Sequence, residues 1–504
     1  MIWFLGRSTP DRGQDHGHSG MYQGRQHGGQ LGGQHGGQLG GQQSRRKFLW
    51  QSLGGLAAGL TLSGVVASCG GGAEETRAPG TTEVEFWTMQ LSPDFDTYFN
   101  TLIDRFETEN PTISVRWVDV PWSAMESKIL TAVSAGTAPD VVNLNPTFAS
   151  QLASREAWLN LDTVIPAETR QEYLPNIWQA STLGDLSFGL PWYLTTRITI
   201  HNTDLLQTAG ITTPPTTYDE LATVARAVKE NTGKYAFFVT FVPEDSAEVL
   251  ESLVQMGVTL VDSQGQAAFV SDAGRSAFQY WVDLYQAGLL PQEVLTQGHR
   301  RAIELYQAGE IAILASSPEF LNSIAINAPA IAAVSAASPQ ISGITNQKNV
   351  AVMNLVIPQD VTQEGEAQTQ AAVDFALYVT NSSNQLAFAQ AANVLPSTAQ
   401  ALADYRASLT TASTSATGTS ATGTPASDTS TTDSPASDSP APAAVLQARL
   451  VSAEQLDSAQ VLIPAMADLN LLKKALYENL QAAMLGQKTI DQALEDAAMT
   501  WNTR

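Results

Sequence analysis

The chain has 504 residues, room for two large lobes plus tails, and with 43% hydrophobic residues, 10 Trp, 12 Tyr and 16 Phe it can bury sizeable cores. Its 26 basic and 49 acidic residues leave a net charge of −23, which repels phosphate backbones and excludes nucleic-acid binding through a basic groove. A single Cys excludes an intrachain disulfide and Cys-rich zinc sites.

The head, 1–43, is Gly/Gln/His-rich and twice repeats Gln-His-Gly-Gly-Gln-Leu-Gly-Gly, a composition that cannot build a core. Met21 offers a second start within it. The head takes His16, His18, His27 and His35, leaving only His201 and His299, so no metal centre is expected. Residues 44–68 have the layout of a signal peptide: Ser44-Arg45-Arg46-Lys47-Phe48-Leu49, then an apolar run from Leu53 to Val66. That run is shorter than the ~20 residues of a spanning helix. The string Ser-Arg-Arg-Lys-Phe-Leu resembles a twin-arginine export signal. Val66-Ala67-Ser68-Cys69 resembles a lipobox, which implies cleavage before Cys69 and a lipid on its thiol. The expected location is the periplasm or the outer face of the cell membrane. Lipid at Cys69 would be the only membrane contact, with 69–82 as tether.

Beyond the tether, short apolar runs alternate with helical spacing, the α/β signature. Val84 to Met89 reads as a strand. Phe95, Tyr98, Phe99, Leu102, Ile103 and Phe106 recur at helical spacing until Asn110-Pro111. A strand at Ile113 to Val118, a helix at Trp122 to Ala135 closed by Gly136, and a strand at Val141 to Leu144 follow. Connections this short suit parallel neighbours. The run Gly189 to Ile200 is long enough to leave one lobe and enter another. Helices are expected at Thr203 to Ala209, Tyr218 to Glu230, Phe278 to Ala287, Arg301 to Gly309, Ala371 to Val379, Asn384 to Ala391, Asp468 to Met484 and Thr489 to Trp501. Strands are expected at Ile311 to Leu314 and Val350 to Ile357. Residues 405–445 form a Ser/Thr/Ala/Pro insert without aromatic residues from 409 on, which reads as a disordered linker.

Three strings, EFWTMQLSPDFDTYFNTLIDRFETENPTISVRWVDVPW, KILTAVSAGTAPDVVNLNP and GLPWYLTTRITIHNTDLLQTAGI, resemble extracellular solute-binding protein family 1, the maltose-binding-protein-like receptors of ABC importers. GEIAILASSPEF and GQKTIDQALEDAAMTWN resemble later segments of that family. The resemblance runs from about 83 to 502; the head and the insert depart from it. It implies an α/β, two-lobe periplasmic-binding-protein fold with the ligand cleft between the lobes. Lobe one would comprise 83–193 and 340–404, lobe two 194–339 and 446–504. The implied function is reception of a sugar, oligosaccharide or polyol and its delivery to the transmembrane subunits of an ABC permease, by a monomer without cofactor.

Sugars present hydroxyls and an apolar C–H face, so aromatic and polar side chains at strand ends are the candidates. After the first strand these are Trp87, Met89 and Gln90; after the third, Asn143, Asn145 and Thr147. Period-two alternation places Tyr193 and Arg197 on one face and Trp192 on the other, which makes Tyr193 and Arg197 cleft candidates and Trp192 core. In lobe two Ser317 and Phe320 follow a buried strand. Trp122 and Trp178 are further aromatic candidates. Each has a plainer reading: a core Trp87, an Asn143–Asn145 turn, a Ser-Ser-Pro helix cap. No G-x-G-x-x-G after a strand, P-loop, H-E-x-x-H, C-x-x-C or G-x-S-x-G is present, so no enzyme is expected. The alternatives are an exported carbohydrate-active or redox enzyme, and a surface lipoprotein that senses without transport.

Overall fold

The computed structural model describes residues 81–418, 443–463, 466 and 468–504. The head, the export segment and Cys69 lie outside the described residues, as does the middle of the insert.

In chain order the strands are β1 (Thr82–Met89), β2 (Ile113–Val120), β3 (Val141–Leu144), the small hairpin β4 (Thr182–Leu183) and β5 (Leu186–Ser187), β6 (Leu190–Thr196), β7 (Ile198–Asn202), β8 (Ile313–Ser316), β9 (Ser335–Pro339), β10 (Lys348–Val356), β11 (Leu395–Pro396) and β12 (Ala459–Gln460). They form a seven-stranded sheet ordered β11-β6-β10-β3-β1-β2, with β12 beside β10, and a three-stranded sheet ordered β8-β7-β9. β1 runs parallel to β2 and β3, so their carboxyl ends lie on one side; β10 joins β3 to β6, antiparallel to both.

The helix Asp96–Glu109 between β1 and β2 buries Phe99, Leu102, Ile103 and Phe106, the i, i+3, i+4, i+7 stripe of an amphipathic helix, and ends at Asn110. The helix Trp122–Ala135 buries Met125, Ile129 and Ala132 and is closed by Gly136 at φ 66°, a left-handed cap that suits glycine. Among the described residues no helix is long and apolar enough to cross a membrane.

The extended run expected over 189–200 is two strands in different sheets: β6 ends at Thr196, β7 starts at Ile198, and only Arg197 lies between them. The chain returns from β9 to β10 through residues 340–347. A separate hydrophobic cluster surrounds the three-stranded sheet. It includes Phe241, Phe269, Trp281, Tyr306, Leu472, Tyr477 and Trp501. The C-terminal helices Leu469–Met484 and Ile490–Asn502 pack on Asp272–Gln286 within it.

Two expectations change. The segment read as linker begins as the end of a helix, Ala399–Gly418, and finishes as the start of another, Ala443–Gln455. Leu402, Tyr405 and Leu409 carry an apolar stripe past the expected boundary, and they are buried together with Val445 and Leu446 as the two helices pack on each other. Ser/Thr/Ala composition hid that stripe. The segment 446–504, expected wholly in lobe two, also reaches the larger sheet, where β12 pairs with Lys348–Asn349 at the start of β10.

Candidate functional site

At the carboxyl ends of β1 and β2 the larger sheet presents a polar knot. The Asp119 carboxylate Oδ1 accepts from the Thr88 hydroxyl at 2.6 Å and from the Leu91 backbone N–H at 2.9 Å, and Trp117 Nε1 donates to Thr88 Oγ1 at 2.8 Å. Burial pushes the Asp119 carboxyl above its ordinary value, against those hydrogen bonds. Gln90, in a left-handed turn at φ 52°, accepts from the Trp122 N–H through Oε1 at 3.3 Å. Beyond β3, Asn145 caps the helix Pro146–Ala153 through Oδ1 to the Phe148 N–H at 2.9 Å. From that helix the Ser150 hydroxyl reaches the Met466 carbonyl at 3.3 Å.

The candidate residues fall into two groups. Gln90, Asn145, Thr147 and Arg197 are half-buried, whereas Trp87, Met89, Asn143, Tyr193, Ser317 and Phe320 are buried. Trp87 donates its indole N–H to Glu85 Oε1 at 2.6 Å and carries the Lys128 ammonium 3.8 Å from its ring centre, so one ring face is already covered. Asn143 is fully buried and donates to the Asn354 carbonyl at 3.2 Å across β3 and β10. Trp192 and Tyr193 are both buried and meet edge-to-face at 5.1 Å. β6 is covered on both faces, so alternation along it does not separate a core face from an open one. Trp178 is buried; Trp122 is half-buried.

Tyr193 is nevertheless placed where the two sheets meet. Burial raises its hydroxyl pKa, and the charges of Asp119 from β2 and Glu319 from beyond β8 raise it further. Glu319 takes a short hydrogen bond from the Ser317 hydroxyl; burial raises its carboxyl, partly offset by Ser317 and Arg449. Phe320 meets the His299 ring edge-on at 6.4 Å. The His299 backbone N–H donates to the Asp245 carboxylate at 2.9 Å. Burial, then the Arg197 charge, brings its imidazole down to about 3, so it is neutral at physiological pH.

Arg197 turns its guanidinium toward the smaller sheet. It pairs with Glu251 in a close ion pair and donates to Ser246 Oγ at 3.2 Å. Burial alone would lower its pKa, but Glu251 and Glu248 hold it raised. Beside the pair lies a cavity of about 50 Å³, lined among others by Thr199, Tyr218, Glu248, Gln255 and Trp281. Glu248 Oε2 is buried without a hydrogen-bond partner, and burial pushes its carboxyl up to about 7 despite the opposing Arg197. Across the site, Lys473 is lowered by burial and held up by Glu244, Asp245 and Glu126, the last from the helix Trp122–Ala135.

Sequence reasoning missed Asp119, Glu248, Glu251, His299, Glu319 and Lys473. The nearest signal was in the helix Glu248–Gln255, where Glu248 and Glu251 stand three apart beside Val249, Leu250 and Leu253, but carboxylates bordering an apolar stripe are ordinarily solvated, so the spacing alone does not mark them as buried. Among the described residues no group of three or more His, Cys, Asp or Glu could hold a metal ion. Carboxylates and amides can hold a polyhydroxylated or amine-bearing ligand by hydrogen bonds, and an accessible aromatic face such as that of the half-buried Trp122 can pack on its C–H groups.

Residues 91–386 match the family profile described as bacterial extracellular solute-binding protein. A binding protein of Brucella abortus (strain 2308) is 24% identical over 277 residues, which are 55% of this chain; the chain thus spans 65% of that relative's length. A crystal structure from Synechococcus sp. MITs9220, described as an oligosaccharide periplasmic-binding protein, is 44% identical with a TM-score of 0.73, covering 83% of this chain and 98% of that one. The cyclic alpha-maltosyl-1,6-maltose binding protein of Arthrobacter globiformis shares the fold at 19% identity and a TM-score of 0.67, covering 84% of this chain and 99% of its own. With the profile spanning more than half the chain and the two-lobed fold in common, this protein belongs to the bacterial extracellular solute-binding protein family.

Proposed function

We propose that the protein binds a sugar or oligosaccharide between two lobes and hands it to the membrane subunits of an ABC importer. The observation that carries this reading is the meeting of side chains from both sheets at one place. Tyr193 on β6 feels the charges of Asp119 at the end of β2 and of Glu319 beyond β8, and Lys473, on a helix packed beside the smaller sheet, feels that of Glu126 on the helix Trp122–Ala135. The half-buried Gln90, Trp122, Asn145, Thr147 and Arg197 would supply the polar rim and one aromatic platform. Trp87, Asn143, Tyr193, Ser317 and Phe320 would support them from behind. The descriptions of the Synechococcus and Arthrobacter proteins, oligosaccharide-binding and maltosyl-maltose-binding, point to the same ligand class.

The lobes in this reading are 83–193 with 340–404, and 194–339 with 446–504, the latter touching the larger sheet at β12. The protein would act as a monomer outside the cytoplasm, exported by a twin-arginine signal and anchored through lipid on Cys69. A thermal-shift screen of the full chain against a carbohydrate panel tests the ligand class. At a concentration one hundred times Kd, a ligand that binds only the folded state stabilises it by about 2.7 kcal/mol. A panel of mono-, di- and oligosaccharides and polyols without one shift would overturn the proposal.

A further inference from the structure

The chain passes between the neighbourhoods of the two sheets at Arg197, at residues 340–347, and again where the helix Ala443–Gln455, packed on β9, leads through the turn Leu456–Ser458 into β12. Gln455 stands at the third passage, and its buried side chain reaches both of the others. Its Nε2 donates to the Arg197 carbonyl at 2.6 Å, and its Oε1 accepts from the Gln340 N–H at 3.1 Å. A carbonyl only accepts and a backbone N–H only donates, so the bridging group needs one donor and one acceptor; a carboxamide has both.

Gln340 extends the contact. Its Oε1 accepts from the Asn349 N–H at 2.7 Å, and its carbonyl accepts from Lys348 Nζ at 2.6 Å. Lys348 also donates to the Ser342 hydroxyl at 2.9 Å. One turn earlier in the helix, the Ser452 and Thr196 hydroxyls are 2.7 Å apart, just before the first passage. A rotation of one sheet against the other must be absorbed by torsions in these few connecting residues. If Arg197 and Gln340 moved separately, a half-buried carbonyl and a buried N–H would lose their partner.

We propose that Gln455 clamps the three passages into one hinge and so sets the balance between lobe arrangements. It is a positioning residue for ligand binding that does not touch the ligand. The inference rests on the two-lobe reading above. Loosening the clamp changes the fraction of protein in the binding-competent arrangement, and apparent affinity follows that fraction.

The test uses the full chain with Cys69→Ser, labelled through Asp104→Cys on the helix Asp96–Glu109 and Asp204→Cys on the helix Thr203–Thr208, both exposed. Gln455→Met keeps the side-chain length and removes both hydrogen bonds. The ligand-free distance distribution between the labels should shift or broaden. Affinity for whichever panel sugar the parent binds should change by about 5- to 30-fold. Gln455→Asn, one carbon shorter, cannot reach both partners and should act alike if the Met variant does not fold. Tyr306→Phe, which loses a buried hydroxyl contact of 2.8 Å with Ser335 inside the smaller-sheet core, should lower the melting temperature and leave the distances alone. Distances and affinity equal to the parent in the Gln455 variants overturn the hinge role, even if the sugar still binds. A shifted distance distribution without any sugar bound supports the hinge and counts against the sugar reading instead.

Discussion

Both sheets pack against aromatic side chains, but they differ in the charge and free space beside that packing. Around the larger sheet, Phe86, Phe99, Trp192, Phe375 and Phe388 form a continuous aromatic cluster, with Trp192 stacked on Phe388 at 4.8 Å and 19°. Beside the smaller sheet, the Arg197–Glu251 pair and Glu248 lie next to a cavity that touches the connecting residues Arg197 and Gln340. Aromatic packing is close to all-or-none, whereas a charged, incompletely filled interior responds to protonation and to small rearrangements. The difference therefore lies in the charged, cavity-lined patch around Arg197, Glu248 and Glu251, which is where adjustability is expected.

The largest test of that contrast is Trp192→Ala. It removes the centre of the aromatic cluster and should cost about 4 kcal/mol in denaturant unfolding. A loss below about 1 kcal/mol would mean the cluster does not stabilise the larger sheet. Next is Arg197→Met. It strands Glu251, whose side chain is 8% exposed, and should cost about 3 kcal/mol. Adding Glu251→Leu should restore much of that loss; simple additivity of the two changes would show that the pair is uncoupled.

The smallest effect, and the most informative about adjustability, is Glu248→Gln. The Glu248 carboxyl is raised from 4.5 to about 7, so between those pH values the folded chain binds more protons than the unfolded one. Stability attributable to this group therefore falls as pH rises from about 4.5 to 7. Relative to the parent, Glu248→Gln should gain about 1–3 kcal/mol at pH 8 and nothing near pH 4. Melting curves of both proteins across that range give the difference directly. A gain that is the same at both ends would mean burial of Glu248 is not the cause.

How much of this was legible follows from the local rules each segment obeys. β1, β2 and β3 with their two helices were readable because apolar spacing, Asn110-Pro111 and Gly136 agree on the same boundaries. The passage at Arg197 was readable as an extended run too long for one lobe. The helix Ala399–Gly418 was not, because its tail is composed like a linker while its register continues Leu402, Tyr405 and Leu409. In the site, strand periodicity told which side chains share a face but not whether that face is covered. Both faces of β6 are covered, so Trp192 and Tyr193 are equally buried. The carboxylates Asp119, Glu248, Glu251 and Glu319 were hidden among 49 acidic residues, since only tertiary packing separates a buried one from a solvated one.

The position of β10 also dictates an order of events during synthesis. It is the strand that joins β3 to β6, and it lies far downstream of both. A chain emerging from the ribosome completes β1, β2 and β3 early, then carries the open edge of β3 through roughly 200 further residues before its partner is made. Such non-local pairing is slow, because loop closure comes before any reward. The nascent chain therefore carries that unpaired edge, a template for wrong pairing, while the smaller sheet is being built.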